Sequence, residues 1–397
     1  MTSSHLLNFF ADDTSMYLGL ENTNERTNIL NSDLDKINKW AKTWKVKFNQ
    51  TKTKLMTISN IREPNTQPLI FGNDILDETD SHKHLGVIIQ KDCKWDLHIK
   101  SILSKCRILI GCLRSFKYRL SRRSLQTMYK SFIMPHFDFS DVIWDNCTNE
   151  QADALETLHL DALRTIIGTV RGTSHHKLYK ESGFTSLKER RKRHKIILYS
   201  KIVHGSVPTY MSNRLPNLVA DINPYHRRRP LERQIPRCRL QIYKSSFFPS
   251  TTALWNDLPD NVKQSNSIGF LKHFLSSDDS FVPEHFFLPD TDRHLETILC
   301  KLRLEMSDLN NDLFHRHLRN NPTCNCGSAV EDTYHFLLVC PLYQQARNLT
   351  ISLLPNEIKN NVTTLLSGSP HRNIQANREI LATVCNFISL SNRFPSV

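Results

Sequence analysis

The chain has 397 residues, 39% of them hydrophobic, and its 52 Lys and Arg against 39 Asp and Glu give a formal net charge of +13. This length and apolar content predict two or three folded units and exclude a disordered or collagen-like protein. No stretch approaches the roughly 18 to 20 uncharged apolar residues of a membrane span, and the N-terminus lacks the pattern of a signal peptide. Ten scattered cysteines indicate a reducing compartment. We therefore expect a soluble intracellular protein, cytoplasmic or nuclear or both, whose positive charge favours an anionic partner.

The first pattern along the chain is a pair of adjacent carboxylates, Asp12 and Asp13, between an apolar run and an alternating stretch. This pattern predicts a hairpin with both carboxylates at its tight turn. Their oxygens would there form a site for Mg²⁺, the ion that neutralises charge in phosphoryl transfer. An ordinary hairpin turn is the alternative, because Asp side chains are common at turns.

A helix and more strands are predicted next. Apolar residues at helical spacing predict an amphipathic helix from Asn24 to Trp44. Residues 45–48 predict a strand, residues 72–74 form the turn of a second predicted hairpin, and residues 82–89 predict a further strand.

Three short segments at these intervals resemble the last three palm motifs of the reverse transcriptases of non-LTR (LINE-type) retrotransposons. The segments are Phe10-Ala11-Asp12-Asp13, Asn49-x-x-Lys52-Thr53 and His84-Leu85-Gly86-Val87. The resemblance implies that Asp12 is the main Mg²⁺ ligand, that Asp13 supports it and that Lys52 lies near the departing pyrophosphate. A solvated lysine at a strand end is the alternative for Lys52. The resemblance also implies a primer grip formed by Lys83, His84, Leu85, Gly86 and Val87.

The position of Asp12 bears on activity. Nucleotidyl transfer with two metal ions needs a further aspartate, which in the resembling polymerases lies many tens of residues upstream. Only eleven residues precede Asp12. The chain therefore resembles the C-terminal part of a polymerase, and we expect little polymerase activity from it alone, with Mg²⁺ as a cofactor of the intact parent enzyme.

A basic segment follows the palm motifs. Residues 98–137 contain no Asp or Glu, and their apolar residues recur at helical spacing, which predicts helices with a cationic outer side. The thumb lies here in the resembling polymerases, where cations would neutralise the phosphates of an RNA or DNA duplex without reading its sequence. A solvated helix face is the alternative. The predicted nucleic-acid-binding residues are Lys100, Lys105, Arg107, Arg114, Lys117, Arg119, Arg122, Arg123 and Lys130.

Two further basic segments follow. Residues 188–194 begin a predicted amphipathic helix and are interpreted as either nucleic-acid-facing or simply solvated. The segment from Pro208 to Arg239 is rich in both proline and arginine, which predicts an extended basic linker or binding arm.

Near the C-terminus, Cys324, Cys326, His335 and Cys340 have the spacing of metal ligands. Three thiolates and one imidazole commonly form a closed tetrahedral Zn²⁺ site, and Gly327 can adopt the turn that brings neighbouring thiolates together. The same spacing is typical of the C-terminal zinc knuckle of the resembling retrotransposon proteins. Free buried cysteines beside a hydrogen-bonded histidine are the alternative.

These patterns predict an α+β protein. A partial reverse-transcriptase palm, with a small antiparallel sheet and a helix, is followed by a mainly α-helical thumb and a C-terminal region with a small zinc knuckle. The predicted segments are a residual palm (1–91), a thumb (92–144), a helical and basic connecting region (145–240), a helical post-thumb region (241–320), the knuckle (321–350) and C-terminal helices (351–397).

The resemblance implies a fragment of an RNA-directed DNA polymerase, a nucleotidyltransferase, that binds RNA and DNA and no membrane. The alternative is a non-catalytic nucleic-acid-binding protein that uses the basic helices and the zinc knuckle.

Overall fold

The structure, a computed structural model, describes residues 5–10, 13–19, 23–49, 52–59, 68–222, 230–276, 286, 288 and 292–395. The chain divides into two compact units, Met1–Lys100 and Ser101–Val397. Helices dominate the described residues, which also contain four two-stranded sheets. The predicted α+β class is therefore confirmed at this coarse level.

The first unit begins with a hairpin and a long helix. Strands β1 (His5–Phe10) and β2 (Asp13–Leu18) pair antiparallel, with Phe10 opposite Asp13. Helix α1 (Thr23–Trp44) follows. Both the hairpin and the helix agree with the sequence predictions.

The strand predicted at residues 45–48 is wrong. Lys45 has a φ of 55°, and the N–H of Val46 bonds to the carbonyl of Ala41 over 2.9 Å. This left-handed turn with a bond back across the last turn is the Schellman pattern that ends a helix. Residues 45–48 therefore terminate α1 and are not paired with a strand.

The remaining strands of the first unit are short. They are β3 (Lys54–Leu55), β4 (Ile70–Phe71), β5 (Asp74–Ile75), β6 (Asp77–Glu78), β7 (Ser81–His84) and β8 (Val87–Gln90). β3 pairs parallel with β6, whereas β4 with β5 and β7 with β8 form antiparallel hairpins. The β4–β5 hairpin confirms the turn predicted at residues 72–74.

Residues 82–89 form most of the β7–β8 hairpin and not the single strand that the sequence predicted. Leu85 and Gly86 both have positive φ, 46° and 88°, as a tight hairpin turn requires. The apolar face of α1 packs against the β4–β5 hairpin and the residues that flank it. Its buried residues Leu30 and Leu34 pack with Leu69, Phe71 and Leu76.

In the described part of the second unit, all regular secondary structure is helical except for two isolated β-bridges. Ser or Thr side chains cap the N-termini of four of its helices, which begin at Arg122, Asn149, His175 and Leu187. The elements of its first part are α2 (Asp96–Ser115), α3 (Arg122–Met128), a π-helical turn (Tyr129–Ile133), α4 (Met134–Asp138), α5 (Asp141–Trp144), α6 (Asn149–Ile167), α7 (His175–Ser182) and α8 (Leu187–Val203).

The middle of the second unit contains short helices. These are α9 (Thr209–Ser212), α10 (Val219–Ile222), α11 (Gln241–Lys244), α12 (Phe247–Asn256), α13 (Asp260–Gln264) and α14 (Ile268–Ser276). The predicted extended arm thus contains α9 and α10, and its residues 223–229 lie outside the described part of the chain. Helices α8, α12 and α14 share a core around Tyr199 and Trp255.

The last part of the second unit has its own core. Its elements are α15 (Arg293–Leu304), α16 (Asn310–His315), a π-helical turn (His335–Val339), 3₁₀ turns (Pro341–Tyr343 and Ile351–Leu353), α17 (Gln344–Asn348), α18 (Asn356–Lys359), α19 (Val362–Ser367) and α20 (Ile374–Ser391). Phe336 and Leu337 of the π-helical turn are fully buried against α15 and α20. Over the described residues, no helix combines the length and apolar character needed to cross a bilayer.

Candidate metal centre and nucleic-acid interface

The structure brings Cys324, Cys326, His335 and Cys340 together in the second unit. Their ligand atoms all lie within 4.8 Å of one another. The Sγ atoms of Cys324 and Cys340 are 3.6 Å apart, and Sγ of Cys326 is 3.3 Å from Nε2 of His335. Tetrahedral coordination with Zn–S bonds of about 2.3 Å separates two sulfurs by about 3.8 Å. This Cys₃His cluster therefore fits a four-coordinate metal ion.

Local backbone geometry positions the four ligands. Gly327 has a φ of 76° and donates its N–H to the carbonyl of Cys324 over 2.9 Å. Glycine adopts this left-handed conformation at little cost, so the chain turns sharply after Cys326. His335 opens the π-helical turn, and its carbonyl accepts the N–H of Cys340 over 2.8 Å. His335 and Cys340 are thus one π-helical turn apart and face the same side.

Neighbouring side chains hold this turn in place. Arg347 is buried and donates from Nε to the carbonyl of Leu337 and from Nη2 to the carbonyl of Cys340, both over 2.9 Å. These carbonyls at the end of a helical turn would otherwise lack partners. Asp332 accepts the N–H of His335 over 2.7 Å.

The three thiols lie in unequal environments. Burial raises the pKa of Cys324 to about 12 and also raises the pKa of Cys340. The Ser328 hydroxyl, 3.0 Å from Sγ of Cys326, lowers the pKa of that thiol to about 6. Because two of the thiols favour the protonated form, a bound cation would be needed to hold all three as thiolates at neutral pH.

The four ligands are predictable from the sequence, but two residues that contact them were not predicted. Ser328 carries a local signal, since it follows Cys326 by only two positions. Arg347 carries no such signal, because its contact to the Cys340 carbonyl is visible only in the fold.

The structure describes only one of the two residues of the predicted carboxylate site. Asp12 lies outside the described residues, and Asp13 is the exposed first residue of β2. Within the described part of the chain, no group of three metal-ligating side chains includes Asp13. The roles of Asp12 and Asp13 remain predictions.

The other palm residues lie at the surface of the first unit. Lys52 is exposed, and its N–H bonds to the carbonyl and to Oδ1 of Asn49 over 3.2 and 3.3 Å. The residues of the predicted primer grip all lie on the β7–β8 hairpin. Lys83 is exposed at its edge and Val87 is buried beneath it. Their functions also remain predictions.

The cationic segment forms α2, α3 and the turn that follows them. All but one of its predicted nucleic-acid-binding residues are exposed or half-exposed. Arg114 forms an ion pair with Asp161 over 3.1 Å, and Nζ of Lys130 lies 5.4 Å from the centroid of the Phe184 ring. The accessible set consists of Lys100, Lys105, Arg107, Arg114, Lys117, Arg119, Arg123 and Lys130.

Arg122 is the exception, and its prediction as a nucleic-acid contact is wrong. The residue is only 1% exposed. Its Nη1 lies 2.8 Å from Oε1 of Glu181, and its Nη2 donates to the carbonyl of the same residue. Arg303 binds the same carboxylate over 2.6 Å. Arg122 thus holds α3 against α7 and α15, and its charge is unavailable to a ligand.

The second cationic run, at the start of α8, is also partly internal. Arg190 forms a two-point ion pair with Asp138, through Nε over 2.5 Å and Nη2 over 2.7 Å. Lys188 and Lys192 remain exposed. The solvated or nucleic-acid-facing interpretation therefore applies to only part of this run. The other internal pairs are Arg191 with Asp145, His194 with Asp141 and Lys195 with Asp145.

Comparisons with known proteins show what the chain is similar to. No protein-family model matches the chain, and no solved structure matches it significantly. Curated relatives do match, and they are RNA-directed DNA polymerases and a related polyprotein of transposable elements. The chain is therefore related to the RNA-directed DNA polymerases of non-LTR retrotransposons, in agreement with the resemblance drawn from its palm motifs.

Three relatives illustrate this similarity. A probable RNA-directed DNA polymerase from transposon BS of Drosophila melanogaster is 26% identical over 200 residues, which are 48% of this chain and 21% of the relative. The Pol polyprotein of the type-1 retrotransposable element R1 of Bradysia coprophila is 21% identical over 350 residues, 86% of this chain and 32% of the relative. The polymerase of mobile element jockey of Drosophila funebris is 25% identical over 167 residues, 41% and 18% respectively. The chain thus spans about a fifth to a third of the length of these relatives.

Proposed function

We propose that the chain is the C-terminal part of an RNA-directed DNA polymerase of a non-LTR retrotransposon and that it contributes RNA and DNA binding to that enzyme. The observation that carries this proposal is the similarity to several such polymerases, which for the R1 polyprotein extends over 86% of the chain. The order of a carboxylate hairpin, cationic helices and a Cys₃His cluster along the chain supports it.

Nucleic acid would bind along α2 and α3, which we assign to the thumb. The accessible cations of this surface would neutralise backbone phosphates, so binding would be independent of sequence and would weaken steeply with salt. Lys105, Arg107 and Arg123 are exposed and form no ion pair among the described residues, so they are the cations most available for such contacts.

Fluorescence anisotropy with a labelled primer–template duplex tests this surface. Replacing Lys105, Arg107 and Arg123 by Gln should reduce the slope of log affinity against log salt by roughly 0.9 for each lost phosphate contact. A matched variant replaces Lys42, Lys244 and Lys272, which are exposed elsewhere, and should bind like the wild type. Equal losses in both variants would show that only net charge matters and would contradict a defined interface.

We assign Asp12 and Asp13 to Mg²⁺ binding in the intact enzyme and Lys52 to the pyrophosphate. Transfer with two metal ions needs a further aspartate, which in the resembling polymerases lies many tens of residues upstream of this carboxylate pair. We therefore expect the isolated 397-residue chain to add no nucleotides in a primer-extension assay. Incorporation that depends on Mg²⁺ and that Asp12→Ala abolishes would contradict this expectation.

The Cys₃His cluster would hold Zn²⁺ as a closed structural site, because four N and S donors leave no open position for substrate. Replacing Zn²⁺ by Co²⁺ should give the visible absorption of tetrahedral cobalt and the charge-transfer band of thiolate ligands. Cys340→Ser should reduce that band, while Cys112→Ser, at an exposed cysteine outside the cluster, should leave it unchanged. A spectrum without thiolate ligation in the wild type would exclude the site.

A second candidate function is non-catalytic nucleic-acid binding centred on the knuckle. The observation that favours it is the Cys₃His cluster, whose ligand atoms all lie within 4.8 Å of one another. If Cys324→Ser abolishes duplex binding while the triple variant of α2 and α3 retains it, the knuckle is the binding module. The reverse result favours the thumb surface.

A further inference from the structure

The three thiols of the Cys₃His cluster differ in their access to solvent. Cys324 and Cys340 are 3% and 0% exposed, and their Sγ atoms lie 3.6 Å apart. Cys326 is half-buried, and its chain neighbours Asn325 and Gly327 are exposed. A small solute that arrives from solvent therefore meets the sulfur of Cys326 first, with both other sulfurs within 4.8 Å of it.

Hydrogen bonds hold these thiols together without using the atoms that would ligate a metal. The N–H of Cys324 bonds to the carbonyl of Ala329 over 2.8 Å, and the N–H of Glu331 bonds to the carbonyl of Pro322 over 2.9 Å. The Glu331 carboxylate is buried and accepts two hydrogen bonds from Arg393, each over 2.8 Å. A loop fixed in this way would keep its sulfurs adjacent after a metal ion leaves.

We propose that the Cys₃His cluster is a reversible redox switch, in which hydrogen peroxide joins Cys326 and Cys340 in a disulfide and the metal ion is released. This inference rests on the proposed Zn²⁺ site. Cys340 is the partner because it follows Cys326 by fourteen positions, whereas a disulfide to Cys324, only two positions away, would close a small strained ring. The disulfide leaves only Cys324 and His335 as donors, too few for a closed tetrahedral site.

One peroxide molecule is consumed for each disulfide. The sulfur of Cys326 attacks one peroxide oxygen and becomes a sulfenic acid, and the other oxygen leaves as hydroxide and takes a proton from solvent. The sulfur of Cys340 then attacks the sulfur of Cys326, and the sulfenic oxygen leaves as a second hydroxide that is protonated to water. The two thiolates lose two electrons in total, and these reduce the peroxide to two water molecules. A thiol reductant reverses the change through a mixed disulfide.

Ser328 sets the rate of this switch without holding the metal. Its hydroxyl lies 3.0 Å from Sγ of Cys326. A thiolate carries no proton, so the hydroxyl is the donor in the metal-loaded state. A hydrogen bond that stabilises a thiolate also weakens it as a nucleophile. Ser328 is therefore a positioning residue that slows the attack on peroxide.

The test treats the zinc-loaded wild-type chain with hydrogen peroxide. A chromogenic chelator measures the zinc released, and mass spectrometry of peptides identifies the joined cysteines after the free thiols have been blocked. We expect one equivalent of zinc per chain, a disulfide between Cys326 and Cys340, and renewed zinc binding after dithiothreitol. Cys112, which is exposed and lies outside the cluster, should appear in no disulfide within the chain.

Two variants leave all four ligands in place. Ser328→Ala should bind zinc and release it about threefold faster under peroxide, because the sulfur of Cys326 becomes the stronger nucleophile. Cys112→Ser should release zinc at the wild-type rate. An unchanged rate in Ser328→Ala would mean that another sulfur is attacked first and would overturn the assignment of Cys326.

The failure of this inference differs from the failure of the proposed metal site. If the cobalt-substituted wild type shows thiolate ligation, but peroxide leaves the zinc bound or releases it with no disulfide, the metal site stands and the switch is wrong. If the wild type shows no thiolate ligation at all, both the metal site and the switch fail.

Discussion

The two units of this protein use charge in different ways. Ion pairs in the first unit lie at its surface, as Lys39 with Asp35 and Lys54 with Asp77 illustrate. In the second unit the Glu181 carboxylate is 6% exposed and binds two guanidinium groups that are no more exposed than itself. Exposed pairs contribute little to stability, whereas breaking a buried pair is costly. Basic residues of the second unit therefore cannot all be counted as available to nucleic acid.

The Cys₃His cluster of the second unit is built from a short stretch of the chain. All four members of the Cys₃His cluster come from residues 324–340 and are assembled by local turns. A ligand set that is close along the chain can form a site by local backbone geometry, but a carboxylate site built from separate strands depends on the rest of the domain.

The largest effect that we expect is the loss of the Cys₃His site. Cys340→Ser removes a fully buried ligand and should lower the unfolding free energy of the second unit by about 5 kcal/mol, because a structural metal contributes directly to folding. Thermal unfolding of the zinc-loaded protein measures this change. Cys112→Ser should leave the transition unchanged. If a chelator does not destabilise the wild type, the metal is not structural and the contrast between the units weakens.

Glu181→Gln tests the buried ion cluster. It should cost about 3 to 4 kcal/mol, since the buried guanidinium groups of Arg122 and Arg303 would both lose the carboxylate that they share. Urea unfolding measures the loss. Glu305→Gln breaks the pair with Lys177 at a glutamate that is 73% exposed and should cost under about 1 kcal/mol. Equal costs would show that burial does not separate these pairs.

The same carboxylate predicts a dependence on pH. Burial opposes the ionisation of Glu181, but Arg303 and Arg122 outweigh it and lower the pKa. The stabilising contribution of Glu181 is fully present above the pKa of glutamate in the unfolded chain, about 4.3. It is lost as the pH falls through the lower pKa of the folded state. Glu181→Gln should remove this acid-induced loss.

Particular residues show what the sequence can and cannot predict. Features whose determinants lie within one short stretch of chain are predictable. They are the β1–β2 hairpin, α1, the turn at residues 72–74 and the four Cys₃His ligands. The end of α1 at Trp44 agrees with the sequence prediction, but residues 45–48 form a helix cap and not the predicted strand. Apolar residues after a helix suit either structure, and only the φ of 55° at Lys45 decides between them.

The burial of Arg122 depends on still more distant residues. Its partner Glu181 is 59 residues away, and its N–H faces Glu296 at a separation of 174 residues. A basic run read alone cannot reveal such partners. The same limit applies to Arg190, whose partner Asp138 is 52 residues away.

A buried histidine of the second unit predicts a dependence of its stability on pH. Burial lowers the pKa of His159 to about 4, and its neutral ring bonds through Nδ1 to the Tyr129 hydroxyl and through Nε2 to the Thr185 carbonyl, the latter over 3.1 Å. Because the unfolded pKa is near 6.5, the stabilisation is complete above that pH. It is lost as the pH falls towards 4, by roughly 3 kcal/mol in total.

Unfolding measured between pH 7 and pH 4 tests the role of His159. In His159→Gln the stability should vary less over this range, although it is lower throughout because a core side chain has changed. His176→Gln, at an exposed position, should keep the wild-type dependence. A wild-type stability that does not vary between pH 6.5 and 4 would contradict the neutral buried ring.

The smallest effect should come from the surface pairs of the first unit. Asp77→Asn removes the counterion of Lys54, which lies 2.7 Å away in the parallel pairing of β3 with β6. The hydrogen bond and charge of Lys54 lower the pKa of Asp77, but water solvates both groups, so the loss should be within the error of a calorimetric scan. Added salt should likewise change the first unit little through this pair. Asp77→Asn should therefore shift the unfolding transition of the first unit far less than Glu181→Gln shifts that of the second unit. Equal shifts would mean that these exposed charges hold the small sheets together, and the contrast between the two units would be wrong.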